Sequence, residues 1–268
     1  EIGLFAEIGG LDMTNVLICG ILGRMGKQLV ESAAGTDVRV SCGVDIQAGE
    51  LSGIPVYASF DAVRERVDCI IDFSNHALLP KILEYALSKR LPAVIATTGH
   101  TEAERALMRE AAERIPVFSS GNMSLGINVL ISLAKSAAAA LGNDFDIEII
   151  EMHHNRKLDA PSGTALMIAD GIREVLPYEP EYVYDRTQRR CERSRNEIGI
   201  HSVRGGTIVG EHEVIFSGRG EVIRISHSAQ GRELFAQGAL AAAEYIKNKQ
   251  NGFYSMKELL ADSAVGMK

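Results

Sequence analysis

The stretch Val16-Leu-Ile-Cys-Gly-Ile-Leu-Gly-Arg-Met-Gly-Lys-Gln-Leu-Val-Glu-Ser-Ala33 decides the fold. Its first four residues are apolar and predict a buried strand. From Arg24 the apolar positions fall at helical spacing. Gly20, Gly23 and Gly26 join the two in a G-x-x-G-x-x-G turn. Glycines there let a backbone turn tightly and approach a pyrophosphate, while the helix start offers unpaired N–H groups and a favourable dipole. Leu22 stands where the usual middle glycine would. The turn alone therefore reads equally as a plain strand–helix connection. A second strand, Val38–Val44, runs into Asp45, 19 residues after Gly26. That is where a dinucleotide fold places the carboxylate for a ribose hydroxyl pair. A solvated strand-end acid is the alternative. Loop and acid together favour a bound nucleotide.

The alternation continues outward. Ile54–Tyr57 is a short strand, and Val67–Phe73 is nearly continuous in apolar character, as a strand buried on both faces should be. Helices are expected over Ala77–Ser88 and Glu102–Glu113, strands over Ala93–Ala96 and Ile115–Phe118. Strands alternating with helices predict a parallel sheet with right-handed crossovers. Ala96-Thr97-Thr98-Gly99 and Ser120-Gly121-Asn122-Met123-Ser124 each follow a strand. Small, hydroxylated residues suit a ligand in the crevice at the strands' C-terminal edge. A helix cap before Glu102 explains the first run equally well.

After Gly126 the character changes. A long helix reaches about Leu141, and four strand-like runs follow: Asp146–Met152, Ile198–Val203, Glu211–Ser217 and Glu221–Ser228. One short helix near Thr164–Leu176 interrupts them. The chain closes on a helix over Glu233–Lys247 and a polar tail. The expected class is α/β: a Rossmann-type dinucleotide-binding domain over 13–124 and 231–268, with an inserted α+β substrate and oligomerisation domain over 125–230 built on an open mixed sheet. Residues 1–12, EIGLFAEIGGLD, read as an appended remnant outside the fold.

Composition narrows the function. The chain has 268 residues, 28 Lys plus Arg against 35 Asp plus Glu, and a net charge of −7. Neutralising phosphates needs a basic face, so a nucleic-acid partner is not expected. Asp185–Arg195 holds five arginines but also Asp185 and Glu192, and reads as a mobile surface loop. Leu125–Gly142 is broken by Lys135, so no membrane partner is expected. The four cysteines form no C-x-x-C pair, and Cys19, Cys42 and Cys69 lie in apolar runs. They read as structural thiols of a cytoplasmic protein, with no metal site.

The most informative run is Glu148-Ile-Ile-Glu-Met-His-His-Asn-Arg-Lys-Leu-Asp-Ala-Pro-Ser-Gly-Thr-Ala165. A strand delivers His153, His154, Arg156 and Lys157 into one loop, and Pro161 lies near the start of the next helix. Cations facing a helix N-terminus make a pocket for a small dicarboxylate, with imidazole and ammonium groups as proton donors. A solvated basic loop before a capped helix is the other reading, and the residues alone leave both open.

That run resembles the signature of the dihydrodipicolinate reductase family. So do GxxGRMG at Gly20–Gly26, IDFS at Ile71–Ser74, ATTG at Ala96–Gly99, GNMSLG at Gly121–Gly126 and IVGEH at Ile208–His212. The resemblance implies hydride transfer from a reduced nicotinamide to a small cyclic dicarboxylate. It implies His153 as proton donor and Lys157 as an assisting acid, with His154, Gly163 and Thr164 holding substrate carboxylates. It implies dinucleotide contacts from Gly20, Ile21, Leu22, Gly23, Arg24, Met25, Asp45, Ala96, Thr97, Thr98, Ser120, Gly121, Asn122 and Met123. It also implies a homotetramer built through the second domain's sheet. The family often has Gly at the position of Ala96 and Phe at that of Met123. Asp45 is followed by Ile46, Gln47 and Ala48, with only Arg24 as a nearby cation in sequence. NADH is therefore expected to be preferred over a usable NADPH. Another two-domain dehydrogenase of a small anion, or a nucleotide-sensing regulator, would share the glycine loop without this long signature.

Overall fold

The structure, a computed structural model, describes residues 13–187 and 189–265. The remnant read over residues 1–12 lies outside them. β1 (Thr14–Cys19) is buried at every position but Asn15. Such unbroken burial marks a strand covered on both faces. α1 (Arg24–Ala33) follows the glycine turn and buries Gly26, Leu29 and Ala33. Next come β2 (Val38–Val44), β3 (Gly49–Leu51), β4 (Ile54–Tyr57), β5 (Cys69–Asp72) and α2 (Leu79–Lys89). β6 (Ala93–Ile95), α3 (Glu102–Ala112) and β7 (Pro116–Ser119) follow. Thr101 and Glu104 open α3 with a reciprocal capping box.

The chain then forms α4 (Leu125–Leu141), β8 (Asp146–His153), α5 (Gly163–Arg173) and β9 (Glu181–Val183). After these come β10 (Glu197–Arg204), β11 (Gly210–Ser217) and β12 (Val222–Ala229). α6 (Glu233–Ile246), β13 (Gly252–Tyr254) and α7 (Met256–Val265) close it. Two compact units result: the described residues up to Met123 with those from Phe235 on, and Ser124–Leu234.

The first unit has an eight-stranded sheet in the order β13-β7-β6-β5-β1-β2-β4-β3. Its pairings are parallel except β3 with β4. The crevice at the C-terminal ends of β1, β5, β6 and β7 is where a doubly wound sheet binds ligands. The second unit has a five-stranded sheet in the order β12-β11-β8-β10-β9. It is mixed: β8 runs parallel to β10 and antiparallel to β11. Ile147 and Ile149, with Ile198, Ile200, Val214 and Phe216, pack on Leu130 and Ala134 of α4 and Ile168 and Ile172 of α5.

Two expectations need correction. The polar tail instead contains β13, paired with β7, and α7, whose Met256 and Leu259 are buried. A three-residue strand is too short to show a period, and α7 has two strong anchors among its described side chains. The arginine-rich loop is tied down. Arg193 bonds Glu148 Oε1 at 2.9 Å, Asp146 Oδ1 at 2.8 Å and the carbonyl of Ile147 at 2.9 Å. Arg186 pairs with Glu197, and Arg189 with Glu181 at 2.7 Å. Three of its five arginines answer acids on neighbouring strands, which local sequence does not display.

Candidate active site

The glycine turn is built by close backbone approach. Gly20 has φ +79°, a left-handed conformation that favours glycine. A Cβ on Gly26 would lie 2.3 Å from the carbonyl oxygen of Gly20. Helix α1 has Gly23 as its N-cap, with no side-chain cap and no acid in its first turn. Its start therefore suits an anion. Asp45 faces the turn: Leu22 N–H donates to its Oδ2 at 2.8 Å, and Ile46 N–H to Oδ1 at 2.7 Å. The acid thus both braces the loop and presents carboxylate lone pairs at its rim.

Two cavities border this turn. One of about 1230 Å³ is lined by Gly20, Leu22, Gly23 and Asp45, with Ile46, Phe60, Lys81 and Tyr85 among others. The other, about 590 Å³, is lined by Arg24, Met25, Ala96, Thr97, Thr98, Ser120, Gly121, Asn122 and Met123, with Phe73 and Phe235. Every expected dinucleotide contact but one lines one of them. The exception is Ile21. Its side chain is wholly buried and fills the space a Cβ on Gly43 would need, at 2.4 Å, so only its backbone can serve a ligand. A dinucleotide fits these residues: a side-chain-free turn, an uncapped helix start and a strand-end acid.

The second cluster stands at the end of β8. Period-two alternation puts Ile147, Ile149, Glu151 and His153 on one face of the strand. Glu151 is wholly buried. Its Oε2 accepts from His153 Nδ1 at 2.6 Å and Arg204 Nη1 at 2.8 Å. Its Oε1 accepts from Arg204 Nη2 at 2.7 Å and the Ser162 N–H at 3.1 Å. Burial pushes the carboxyl up, but hydrogen bonds led by Arg204 hold it down at about 2, so it is ionised. Burial lowers His153 below the ordinary imidazole value against the opposing pull of Glu151.

His212 from β11 meets the ring of His153 edge-on, centroids 5.3 Å apart. Its Nε2 lies 3.1 Å from Ser162 Oγ. Burial, with His153 beside it, drives His212 down to about 4, so it is neutral. Ser162 caps α5, its hydroxyl accepting from Ala165 N–H at 3.1 Å. Pro161 thus precedes the cap, and Gly163 and Thr164 form the first turn. Lys157 sits on the tight turn after His154 and pairs with Asp159 at 2.9 Å. His154 Nδ1 is buried without a hydrogen-bond partner.

His153, Lys157 and the start of α5 thus belong to one loop–helix connection. Glu151, Arg204, Ser162 and His212 were not singled out from sequence. Glu151 had a signal: an acid two residues before His153 on the apolar side of an alternating strand. Arg204 had none locally, because it reaches His153 only by pairing of β10 with β8. Among the described residues, no group of three His, Cys, Asp or Glu side chains is placed to hold a metal ion.

A family model described as Dihydrodipicolinate reductase, N-terminus, matches residues 14–123, and its C-terminus counterpart matches residues 126–260. The 4-hydroxy-tetrahydrodipicolinate reductase of Caldanaerobacter subterraneus subsp. tengcongensis is 52% identical over 92% of this chain and 98% of its own. That of Clostridium tetani is 43% identical over 92% and 97%. Among solved structures, a dipicolinate-bound dihydrodipicolinate reductase from Paenisporosarcina sp. TG-14 superposes with a TM-score of 0.75. It covers 91% of this chain and 97% of that one at 24% identity, a likeness of fold.

Proposed function

The chain belongs to the dihydrodipicolinate reductase family, and on that premise we propose that it reduces 4-hydroxy-tetrahydrodipicolinate to tetrahydrodipicolinate, a step of diaminopimelate and lysine biosynthesis. A reduced nicotinamide dinucleotide, held by the first unit's loops, supplies the hydride when bound. The rest is the work of the second unit's residues. Gly163 and Thr164 at the start of α5, with His154, hold a substrate carboxylate against the positive end of the helix dipole. In the net reaction the hydride replaces the 4-hydroxyl, which leaves as water with one proton; protonated His153 gives up that proton from Nε2, and Lys157 neutralises charge beside the ring and assists as an acid. The observation that carries this reading is the buried, ionised Glu151, bonded to His153 at 2.6 Å through one oxygen and to the Ser162 N–H at the helix start through the other. Oxidation of reduced dinucleotide by the chain with freshly generated substrate tests it. Turnover that collapses in His153→Ala is expected. Full turnover in that variant contradicts the assignment.

Cofactor preference rests on Asp45, which accepts from ribose hydroxyls and repels a 2′-phosphate. Lys81 lines the same cavity, while Arg24 lines the smaller one. Lys81 is thus the cation that keeps NADPH usable, with NADH preferred. The chain further assembles as a homotetramer through the second unit's sheet. Support comes from the face turned away from α4 and α5, where Val203 and Val222 are 43% and 53% exposed.

A further inference from the structure

We infer that Glu151 is the positioning residue of this site: one buried carboxylate fixes the tautomer of His153 and anchors the start of the substrate-holding helix. The inference rests on the reading of His153 as proton donor and deepens it.

Glu151 receives four hydrogen bonds, two on each oxygen, from His153, Arg204 and the Ser162 N–H. An ionised carboxylate only accepts, so His153 Nδ1 must carry a proton even when the ring is neutral. Proton exchange is thereby confined to Nε2. Space beside that atom is open because residue 210 is glycine. A Cβ there would lie 3.1 Å from His153 Nε2. On its other oxygen Glu151 holds the N–H of Ser162, the N-cap of α5, so acid and carboxylate cradle share one support. Arg204 Nη2 also bonds the carbonyl of Asp159 at 2.6 Å, tying in the loop that carries Lys157.

A glutamine at 151 keeps the shape but not the acceptors. The Oε1 side faces two groups that only donate, Arg204 Nη2 and the Ser162 N–H; on the Oε2 side Arg204 Nη1 keeps the Val203 carbonyl at 2.7 Å and His153 can turn from donor to acceptor, so the amide NH2 takes that side. His153 Nδ1 must then accept, and the neutral proton moves to Nε2. The charged groups facing the ring are Glu151 on β8, Lys157 on the loop and Arg204 on β10; His212 on β11 is neutral. With the one anion removed, the cations and burial disfavour imidazolium unopposed. A proton donor is active below its pKa, so the high-pH limb of kcat moves to lower pH.

The test combines ¹⁵N NMR of histidine-labelled protein with pH profiles of kcat for wild type, Glu151→Gln, Glu151→Asp and His153→Ala. Expected are a neutral His153 protonated at Nδ1 in wild type and at Nε2 in Glu151→Gln. That variant should lose on the order of a hundredfold in kcat at neutral pH, with its limb shifted down and KM for NADH unchanged. Glu151→Asp, which keeps the charge, should recover part of both. A wild-type ring protonated at Nε2 overturns the inference without any variant needing to fold. So does a Glu151→Gln profile matching wild type while His153→Ala is inactive. An active His153→Ala instead removes the proton-donor role, and the tautomer measurement still decides the role of Glu151.

Discussion

The two ligand-facing regions are built on opposite principles. At the end of β1 the chain provides almost nothing but backbone. Gly20 and Gly26 are places where side chains are excluded, and the start of α1 carries no capping side chain. Its one acid, Asp45, is half engaged in bracing the turn. At the end of β8 a network of charged and polar side chains stands beside the start of α5. Glu151 bonds His153 and Arg204, while His212 bonds Ser162 Oγ and meets the His153 ring edge-on. Backbone donors suit a pyrophosphate common to many reactions, whereas a prearranged charge network suits one transition state. On the proposed reading, dinucleotide binding falls to the first region, and substrate holding with proton chemistry to the second.

The largest expected effect breaks the first region alone. Gly26→Ala puts a Cβ against the backbone of Gly20 and Ile21 and should abolish measurable dinucleotide binding, at a stability cost of about 3 kcal/mol. Tight NADH binding by that variant in calorimetry would show that the turn is not the cradle. Lys157→Ala, in the second region, should lower kcat by roughly ten- to ten-thousandfold with the fold intact. A stopped-flow single turnover at the wild-type rate would remove Lys157 from the chemistry. Gly163→Val comes next. A Cβ at 163 meets nothing within 4 Å, so a side chain begins in open space where an incoming ligand would approach. KM for the dicarboxylate should rise roughly tenfold or more while NADH affinity stays put. Parallel loss of both would point to misfolding.

Two smaller effects sharpen the contrast. His212 has a folded-state value near 4 against about 6.5 unfolded. Between those values the unfolded chain binds the extra proton, so stability is full above pH 6.5 and falls as pH drops toward 4. A neutral replacement, His212→Asn, should flatten the fall of Tm in that window; an unchanged slope assigns the lability elsewhere. Asp45→Ala should narrow the NADH over NADPH preference in kcat/KM by a few-fold. A preference that starts on the NADPH side would shift the decisive role to Lys81.

Legibility followed the same division. The glycine turn and Asp45 lie within one strand–turn–helix–strand unit, so spacing alone located them. His153, Lys157 and the start of α5 also lie in one contiguous run, and their residue types announced a charged loop. Spacing did not reveal that Ile21 turns inward, because a side chain's direction at a turn is set by packing on Gly43. Nor did it reveal Arg204, 51 residues beyond His153, which meets it only once β10 pairs with β8. Arg193 is the same case, reaching Glu148 from the far end of a loop that local composition described as free. Interactions made by strand pairing leave no local period to read.

The division between holding the cofactor and supplying the proton is tested most directly by measuring NADH affinity and kcat together in His153→Ala. The account predicts an NADH Kd equal to wild type and a kcat lowered by about a hundredfold or more. Retained kcat, or a loss of NADH affinity in step with the loss of turnover, would contradict it.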